Sequence, residues 1–242
     1  MIKLKNTDVY GFEAAIRGMR KPWNSWEKSD TKIIHIPEMP RLDYSGNVVE
    51  MIPEHDAVVV TYKDEEWRGV GDNDLALMKK LVSAGTDHSK FMRMINVTCD
   101  ITAPMFWWSE YDTYKVATVR NSCSKMHTIH IKPFDIDDFT HEGCDKIPAA
   151  IDALQYVVGE CEHLRKLYND TKNEKYWRAI IELLPESFNM RATIQMNYAV
   201  LRNMYHARKN HKLDEWRDFC KWIETLPYSE LITGGADHEM QP

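Results

Sequence analysis

Asn197, Leu201, Met204 and Arg208 recur at helical spacing in the run M-N-Y-A-V-L-R-N-M-Y-H-A-R. On a helix of about 3.6 residues per turn they share one stripe. An amide and a guanidinium bracketing two apolar side chains suit a ligand with a flat apolar ring and a phosphate. The same spacing also suits a core stripe whose ends are polar. Asn203 projects from another side of that helix, so it would meet a different ligand part or another subunit.

Further along the same logic, Lys115, Arg120, Lys125 and Arg208 can bring positive charge to one phosphate. Arg grips phosphate bidentately, whereas Lys acts as a point charge. Lys115 and Arg120 equally suit a solvated strand or loop face. Tyr114 can stack on a ring or simply fill core. Cys123 stands between Ser122 and Ser124, near Lys125 and His127. A nearby cation favours a thiolate and so a covalent nucleophile; a small buried residue is the plainer role. His88, after Gly85-Thr86-Asp87, can donate to a cofactor oxygen or be an ordinary loop histidine. His127, His130, His141 and Glu142, with Asp135, Asp137 and Asp138 between, match no strong metal spacing, so no metal is expected. H-A-R-K-N-H at 206–211 reads as a basic helix end that complements the macrodipole.

The elements that must position these groups follow from periodicity. Tyr10–Met19 predicts a short helix. Pro22–Asp56 reads as irregular, with one strand over Lys32–Ile36. Ala57–Tyr62 is β-branched and predicts a strand. Asp72 or Asn73 caps a helix running to about Ala84, which Gly85 ends. Phe91–Ile101 partly alternates and predicts a strand. Pro104 interrupts it before an aromatic segment, Phe106–Tyr114, of undefined type. Met126–Ile131 predicts another strand. Helices are expected over Pro148–Tyr168, Lys175–Leu184, Ala192–Arg208 and Leu213–Ile223. The tail Gly234–Pro242 is expected to fray. Strands come early and helices late, so the class is α+β, a mixed β-sheet with a helical C-terminal half.

Bulk composition narrows the function classes. The chain has 242 residues, 43% of them hydrophobic, and 8 Trp, enough for a real core. A formal charge of −6 argues against a basic surface for polymeric nucleic acid. The five cysteines form no C-x-x-C, which fits free thiols in a reducing cytoplasm. No apolar run has transmembrane length, so no membrane partner is expected.

Two segments, taken in order, resemble the flavin-dependent thymidylate synthases. The first holds G-T-D-H-S-K-F and then A-P-M-F-W-W-S-E-Y-D-T-Y-K; the second is Leu184-Pro185 through Arg208. His88 matches the family's histidine before a strand, and Ala103-Pro104-Met105-Phe106 matches its A-P-[IV]-F element. Thr113-Tyr114-Lys115 falls on the family's Arg-His-Arg, so that motif is not kept. Cys123 falls on its Ser, and Ser124-Lys125 on the following Gly-Arg. Glu110 falls on the Gln that reads the uracil ring. Asn197, Asn203 and Arg208 keep family residues, whereas one Arg between the two Asn becomes Ala199. Another falls on Ile181, one helical turn from Arg178. The resemblance covers roughly residues 72–223, and 22–71 have no counterpart.

The resemblance implies a single synthase-like domain over 1–242, a homotetramer with sites between subunits, and FAD reduced by NADPH. It implies transfer of a one-carbon unit from methylenetetrahydrofolate to C5 of dUMP. His88, Asn197, Asn203 and Lys115 would contact flavin. Arg208, Ser124, Lys125 and Arg178 would hold the nucleotide. Glu110 would meet the base edge, and a carboxylate there, which only accepts hydrogen bonds when ionised, admits a pyrimidine other than uracil. Cys123 is the candidate nucleophile. Two alternatives stay open: a non-catalytic nucleotide- or flavin-binding homologue, and a structural protein whose segment 106–114 is an assembly surface.

Overall fold

The structure, a computed structural model, describes residues 2–42, 48–63 and 66–234. In chain order it runs β1 (Lys3–Tyr10), α1 (Phe12–Arg20), β2 (Ile34–Ile36), β3 (Met39–Leu42), β4 (Val48–Ile52), β5 (His55–Ala57), β6 (Thr61–Lys63), β7 (Glu66–Arg68) and α2 (Asp72–Ser83). Then come β8 (Asn96–Pro104), α3 (Met105–Tyr111), β9 (Val119–Ser122), α4 (Lys125–Thr128), α5 (Pro148–Thr171) and α6 (Glu174–Leu183). The chain closes with β10 (Asn189–Asn197), α7 (Tyr198–Arg208), α8 (Asp214–Glu224) and α9 (Glu230–Thr233). The α+β class and the helical C-terminal half are as the sequence implies. The chain divides into two compact units: Met1–Asp8 with Thr98–Met196 and Ala207–Trp222, and Val9–Val97 with Asn197–His206 and Ile223–Pro242.

The first unit holds a four-stranded sheet in the order β1-β8-β10-β9. Strict alternation explains β8: Val97, Cys99, Ile101 and Ala103 are buried, while Thr98, Asp100 and Thr102 face outward. On β10, Ala192, Ile194 and Met196 point inward and Arg191 and Thr193 outward. Strands β10 and β9 pair antiparallel with Thr193 opposite Asn121. Pro104 then turns the chain into α3, whose Trp107, Trp108 and Tyr111 are all buried. Trp107 is the centre of an aromatic cluster, with ring centroids 4.9 Å from Trp108, 5.2 Å from Tyr111 and 4.9 Å from Trp216. Trp107, Trp108 and Tyr111 of segment 106–114 are therefore core rings rather than exposed ones.

Helices α5 and α6 pack through Leu164 and Ile180, with Ile129 between them. Glu162 on α5 accepts from Arg165 Nε at 2.7 Å and Nη2 at 2.8 Å, and from the Phe134 N–H at 3.1 Å. The Arg165 hydrogen bonds hold its carboxyl down at about 2, below the usual carboxylate range. A depressed acid contributes stability that is full above its unfolded pKa, about 4.3, and is lost as pH falls towards the folded value. Glu162→Gln is therefore expected to lose less stability than wild type between pH 5 and pH 3 in urea unfolding. Equal losses would assign the acid sensitivity elsewhere.

The second unit packs Phe12 edge-on against Tyr198 and Tyr228, at 5.9 and 5.4 Å. Gly11, at φ 98°, starts α1 where an added Cβ would stand 2.0 Å from the Met94 carbonyl oxygen. The stretch without a family counterpart folds largely as three two-stranded ladders, β2-β5, β3-β4 and β6-β7.

Several elements differ from expectation. Ala192–Arg208 is a strand followed by a helix, because Arg191 to Met196 alternates with period two and Asn197 caps the turn into α7. Residues 90–94 form a 3-10 turn before β8 begins at Asn96. Met126–Ile131 is not a strand; Lys125–Thr128 is a short helix, and the strand is Val119–Ser122. The expected strand Ala57–Tyr62 divides between the ends of β5 and β6. Of the tail, residues 235–242 lie outside the described residues.

Candidate functional site

Arg208, at the end of α7, turns its guanidinium onto α3. Its Nε donates to Tyr114 Oη at 2.9 Å and its Nη1 to Glu110 Oε2 at 2.6 Å. The guanidinium carbon lies 4.7 Å from the Trp216 ring centroid and 5.6 Å from that of Tyr114, within cation–π range. Trp216 Nε1 donates to the same Glu110 oxygen at 3.0 Å. The Leu213 N–H donates to His211 Nδ1 at 3.2 Å. The ring's Nε2 lies 3.4 Å from Glu110 Oε2 and 3.0 Å from Arg208 Nη1. Two donors, Arg208 Nη1 and Trp216 Nε1, thus converge on one carboxylate oxygen, with His211 Nε2 beside them. Side-chain exposure is 19% for Arg208 and 34% for Glu110, so the pair is shielded without being sealed from water.

The two residues assigned to nucleotide phosphate and base edge are therefore each other's partners. No described residue makes a hydrogen bond or ion pair with Glu110 Oε1 or Arg208 Nη2. They form a free acceptor and a free donor on one ion pair, a combination that can read a complementary edge.

The other cations are not gathered here. Arg120 Nη1 spans both Asp112 oxygens at 2.7 and 2.6 Å and its guanidinium lies 4.2 Å from the Trp108 ring. Lys125 Nζ donates to Met105 Sδ at 3.1 Å, at the opposite end of α3 from Glu110. Burial holds its ammonium below the usual lysine range, against an upward pull from Glu186. Lys115 is exposed in the turn after α3. Arg178 Nε pairs with Glu182 at 2.6 Å on an exposed face of α6. The Ser124 carbonyl accepts from the His127 and Thr128 N–H groups at the start of α4.

Cys123 continues the β9 ladder, its N–H donating to the Arg191 carbonyl at 2.9 Å. Its thiol is exposed, with Thr128 Oγ1 at 3.5 Å. Cys99, Cys161 and Cys220 are buried, and burial pushes the Cys99 and Cys161 thiols up to about 12 and 11. Exposure therefore distinguishes Cys123 from these three.

Of the residues assigned to flavin in the second unit, His88 and Asn203 are exposed. Asn197 is only 6% exposed, and its Oδ1 accepts from the Val200 N–H at 3.0 Å. That bond caps α7, so the amide oxygen is already engaged. Asn197 does not extend the helical stripe; it ends the preceding strand. Among the described residues no cluster of His, Cys, Asp or Glu is arranged to hold a metal ion, and no helix is long and apolar enough to cross a membrane.

Sequence reasoning missed His211 beside Glu110 and Arg208 and placed Trp216 only in packing. It also passed over Lys3, Lys5 and Arg191, which line a cleft on the sheet. The available signal was alternation, which puts Lys3 with Lys5 on one side of β1.

No protein-family model and no curated protein matches the sequence. The fold is similar to that of two crystal structures of the flavin-dependent thymidylate synthase ThyX from Helicobacter pylori with FAD and dUMP. Both align with TM-score 0.61 at 16% identity over 95% of this chain, covering 95% and 94% of theirs. The chain therefore has the fold of the flavin-dependent thymidylate synthase ThyX.

Proposed function

We propose that this chain is a flavin-dependent thymidylate synthase-like protein acting on dUMP or a related pyrimidine deoxynucleotide. The observation that carries this reading is the fold shared with ThyX structures holding FAD and dUMP. The residues fit the two ligands unequally. For FAD, His88, Asn203 and Lys115 are exposed polar groups able to make contacts, whereas Asn197 keeps at most its amide nitrogen for the cofactor. For the nucleotide, Arg208 Nη2 supplies a donor and Glu110 Oε1 an acceptor. Ser124, Lys125 and Arg178 remain proposed nucleotide contacts, and Cys123 the proposed nucleophile.

Reduced flavin, when bound, supplies the hydride for a one-carbon unit delivered from methylenetetrahydrofolate to C5 of the pyrimidine, with NADPH as the reductant. The chain's own part is to bind and orient. Arg208, fixed by Tyr114 and Trp216, holds its guanidinium in one plane. Glu110, held by Arg208 and Trp216, presents its other oxygen to a ring N–H or amino group. Because an ionised carboxylate only accepts, Glu110 suits a base edge that donates. Both uracil and cytosine offer such a donor. A homotetramer in the cytoplasm belongs to the same proposal.

A second reading is favoured by the Glu110–Arg208 pair together with Thr113-Tyr114-Lys115 in place of Arg-His-Arg: a nucleotide- or flavin-binding protein without catalysis. One experiment separates them. The visible spectrum of purified protein is recorded before and after FAD and dUMP, with free cofactor removed by gel filtration. A retained, perturbed flavin band followed by NADPH oxidation and methyl transfer supports the synthase. A retained band without turnover supports the binding protein, and no retained flavin defeats both flavin readings.

A further inference from the structure

We infer that His211 is a proton-operated latch on the Glu110–Arg208 pair. The neutral ring leaves the guanidinium on the carboxylate. The protonated ring takes the carboxylate and turns the guanidinium out to an anion. The inference rests on the proposed nucleotide reading only for the identity of that anion. His211 is a positioning residue here, acting through Arg208.

The donors and acceptors around the ring set the latch. The Leu213 N–H faces Nδ1 at 3.2 Å and Arg208 Nη1 faces Nε2 at 3.0 Å. Both groups only donate. A neutral imidazole has one lone pair to offer, so it accepts from one of them; a protonated imidazole accepts from neither. The acceptor beside Nε2 is Glu110 Oε2, at 3.4 Å. That oxygen already takes Arg208 Nη1 at 2.6 Å and Trp216 Nε1 at 3.0 Å. Protonation of the ring therefore sets two cations 3.0 Å apart, both facing one carboxylate oxygen. Like charges that close repel, and the strain is relieved when one of them leaves.

What holds each cation decides which one moves. His211 lies in the turn between α7 and α8, its ring edge-on to Trp216 at 6.3 Å and its carbonyl accepting from Arg217 Nη1 at 2.5 Å. Its side chain is short. Arg208 reaches Glu110 on a long flexible stem and is 19% exposed, so the guanidinium is the group that swings. In the latched state Nη1 is taken by Glu110, and Nη2 has no hydrogen bond with a described residue. Release adds Nη1 to Nη2 and gives the two-pronged grip that suits a phosphate. Anion binding and proton uptake are then linked, each favouring the other by the same factor.

The other charges near the ring are committed elsewhere or lie outside this contact. Asp214 and Glu215 open α8; Asp214 pairs with Arg217, and Glu215 is buried. Lys209 has a partner of its own and Lys212 is exposed. Tyr114 Oη is taken by Arg208 Nε at 2.9 Å. Imidazole is also the side chain that ordinarily changes charge between pH 5 and pH 8.

Nitrogen NMR of histidine-labelled protein follows the ring without any nucleotide, its signals assigned by their loss in His211→Asn. That variant keeps an acceptor for the Leu213 N–H and never titrates. The His211 titration midpoint is expected to rise in Arg208→Gln, which removes the neighbouring cation, and to fall in Glu110→Gln, which removes the carboxylate. Sulfate, whose charge is constant from pH 6 to pH 8, is expected to raise the midpoint in wild type and not in Arg208→Gln. Calorimetric titration of dUMP at pH 6 and pH 8 then reads the release on the proposed ligand. Relative to His211→Asn, which shares the nucleotide's own titration, wild type should gain roughly fivefold in affinity at pH 6, the worth of one partly screened ion pair. A midpoint that neither substitution moves, or that sulfate leaves in place, would overturn the latch whatever dUMP does. The expected midpoints and sulfate response, with no His211-dependent change in dUMP affinity, would uphold the latch and remove the nucleotide from Arg208.

Discussion

Asp74→Ala is expected to destabilise the second unit by about 3–5 kcal/mol, the cost of leaving one member of a buried ion pair unpaired. Asp74 is 0% exposed and Arg20 5%. Arg20 Nε donates to Asp74 Oδ1 at 2.5 Å. Oδ2 accepts from Ser29 Oγ and Thr31 Oγ1, each at 2.6 Å, and from the Thr31 N–H at 3.2 Å. Burial alone would raise this carboxyl; the bonds from Ser29, Thr31 and Arg20 outweigh it and leave the carboxyl below its usual range. Asp30 completes the arrangement from outside the helix, accepting from the N–H groups of Asn73 and Asp74 at 2.8 and 3.1 Å. The start of α2 is thus capped by a residue over forty positions earlier. One carboxylate therefore fixes α1, α2 and the segment between Arg20 and Thr31. Asp74→Asn keeps the shape and one acceptor but loses the charge, so it should fall between wild type and Asp74→Ala. Urea unfolding followed by circular dichroism measures all three. A loss under 1 kcal/mol for Asp74→Ala would mean that Arg20 finds another partner or reaches water.

This network was hidden in the sequence, and the reason is physical. Arg20, Ser29, Asp30, Thr31 and Asp74 look like ordinary surface residues in an irregular stretch. Only tertiary folding buries two of them as an ion pair, and nothing in local periodicity reports that. Helices α1, α2, α5, α6 and α8 were legible because each carries an apolar stripe at three- to four-residue spacing. Strand β1 was not, because K-L-K-N-T-D-V-Y faces mostly outward and carries little apolar signal. The β10–α7 boundary was legible in principle: Arg191 to Met196 alternates, and Asn197 is a favoured cap. The alignment of Asn197 with Arg208 at helical spacing masked it.

The candidate site divides the same way. The ordered set from His88 to Arg208 pointed to the ThyX fold without an intact motif. Spacing could not show that Glu110 and Arg208 would meet, because they lie 98 positions apart and their contact depends on tertiary packing within the first unit. Glu110 read as a ligand contact and Arg208 as a phosphate contact are separate statements in the sequence. In the structure they are one interaction.

That pairing makes Glu110→Gln a substitution expected to tighten nucleotide binding. The proposed nucleotide phosphate and the Glu110 carboxylate compete for the same guanidinium. Replacing the carboxylate with an amide removes the charge competition while leaving Gln Oε1 able to accept from Trp216 Nε1. Exposed ion pairs are worth little and buried ones several kcal/mol, and this pair, partly screened, lies between them. Removing about 1 kcal/mol of competition tightens dUMP roughly fivefold. Glu110→Ala should do less well, since it strands the Trp216 N–H without an acceptor. Arg208→Ala should abolish the gain, so Glu110→Gln with Arg208→Ala binds no better than Arg208→Ala alone. Calorimetric titration of dUMP and dCMP against these variants also reads the base. If the carboxylate faces the base edge, Glu110→Gln changes the ratio of the two affinities. If it acts only as the guanidinium's internal partner, both tighten together. Unchanged affinity for both nucleotides in Glu110→Gln would place the nucleotide away from Arg208 altogether.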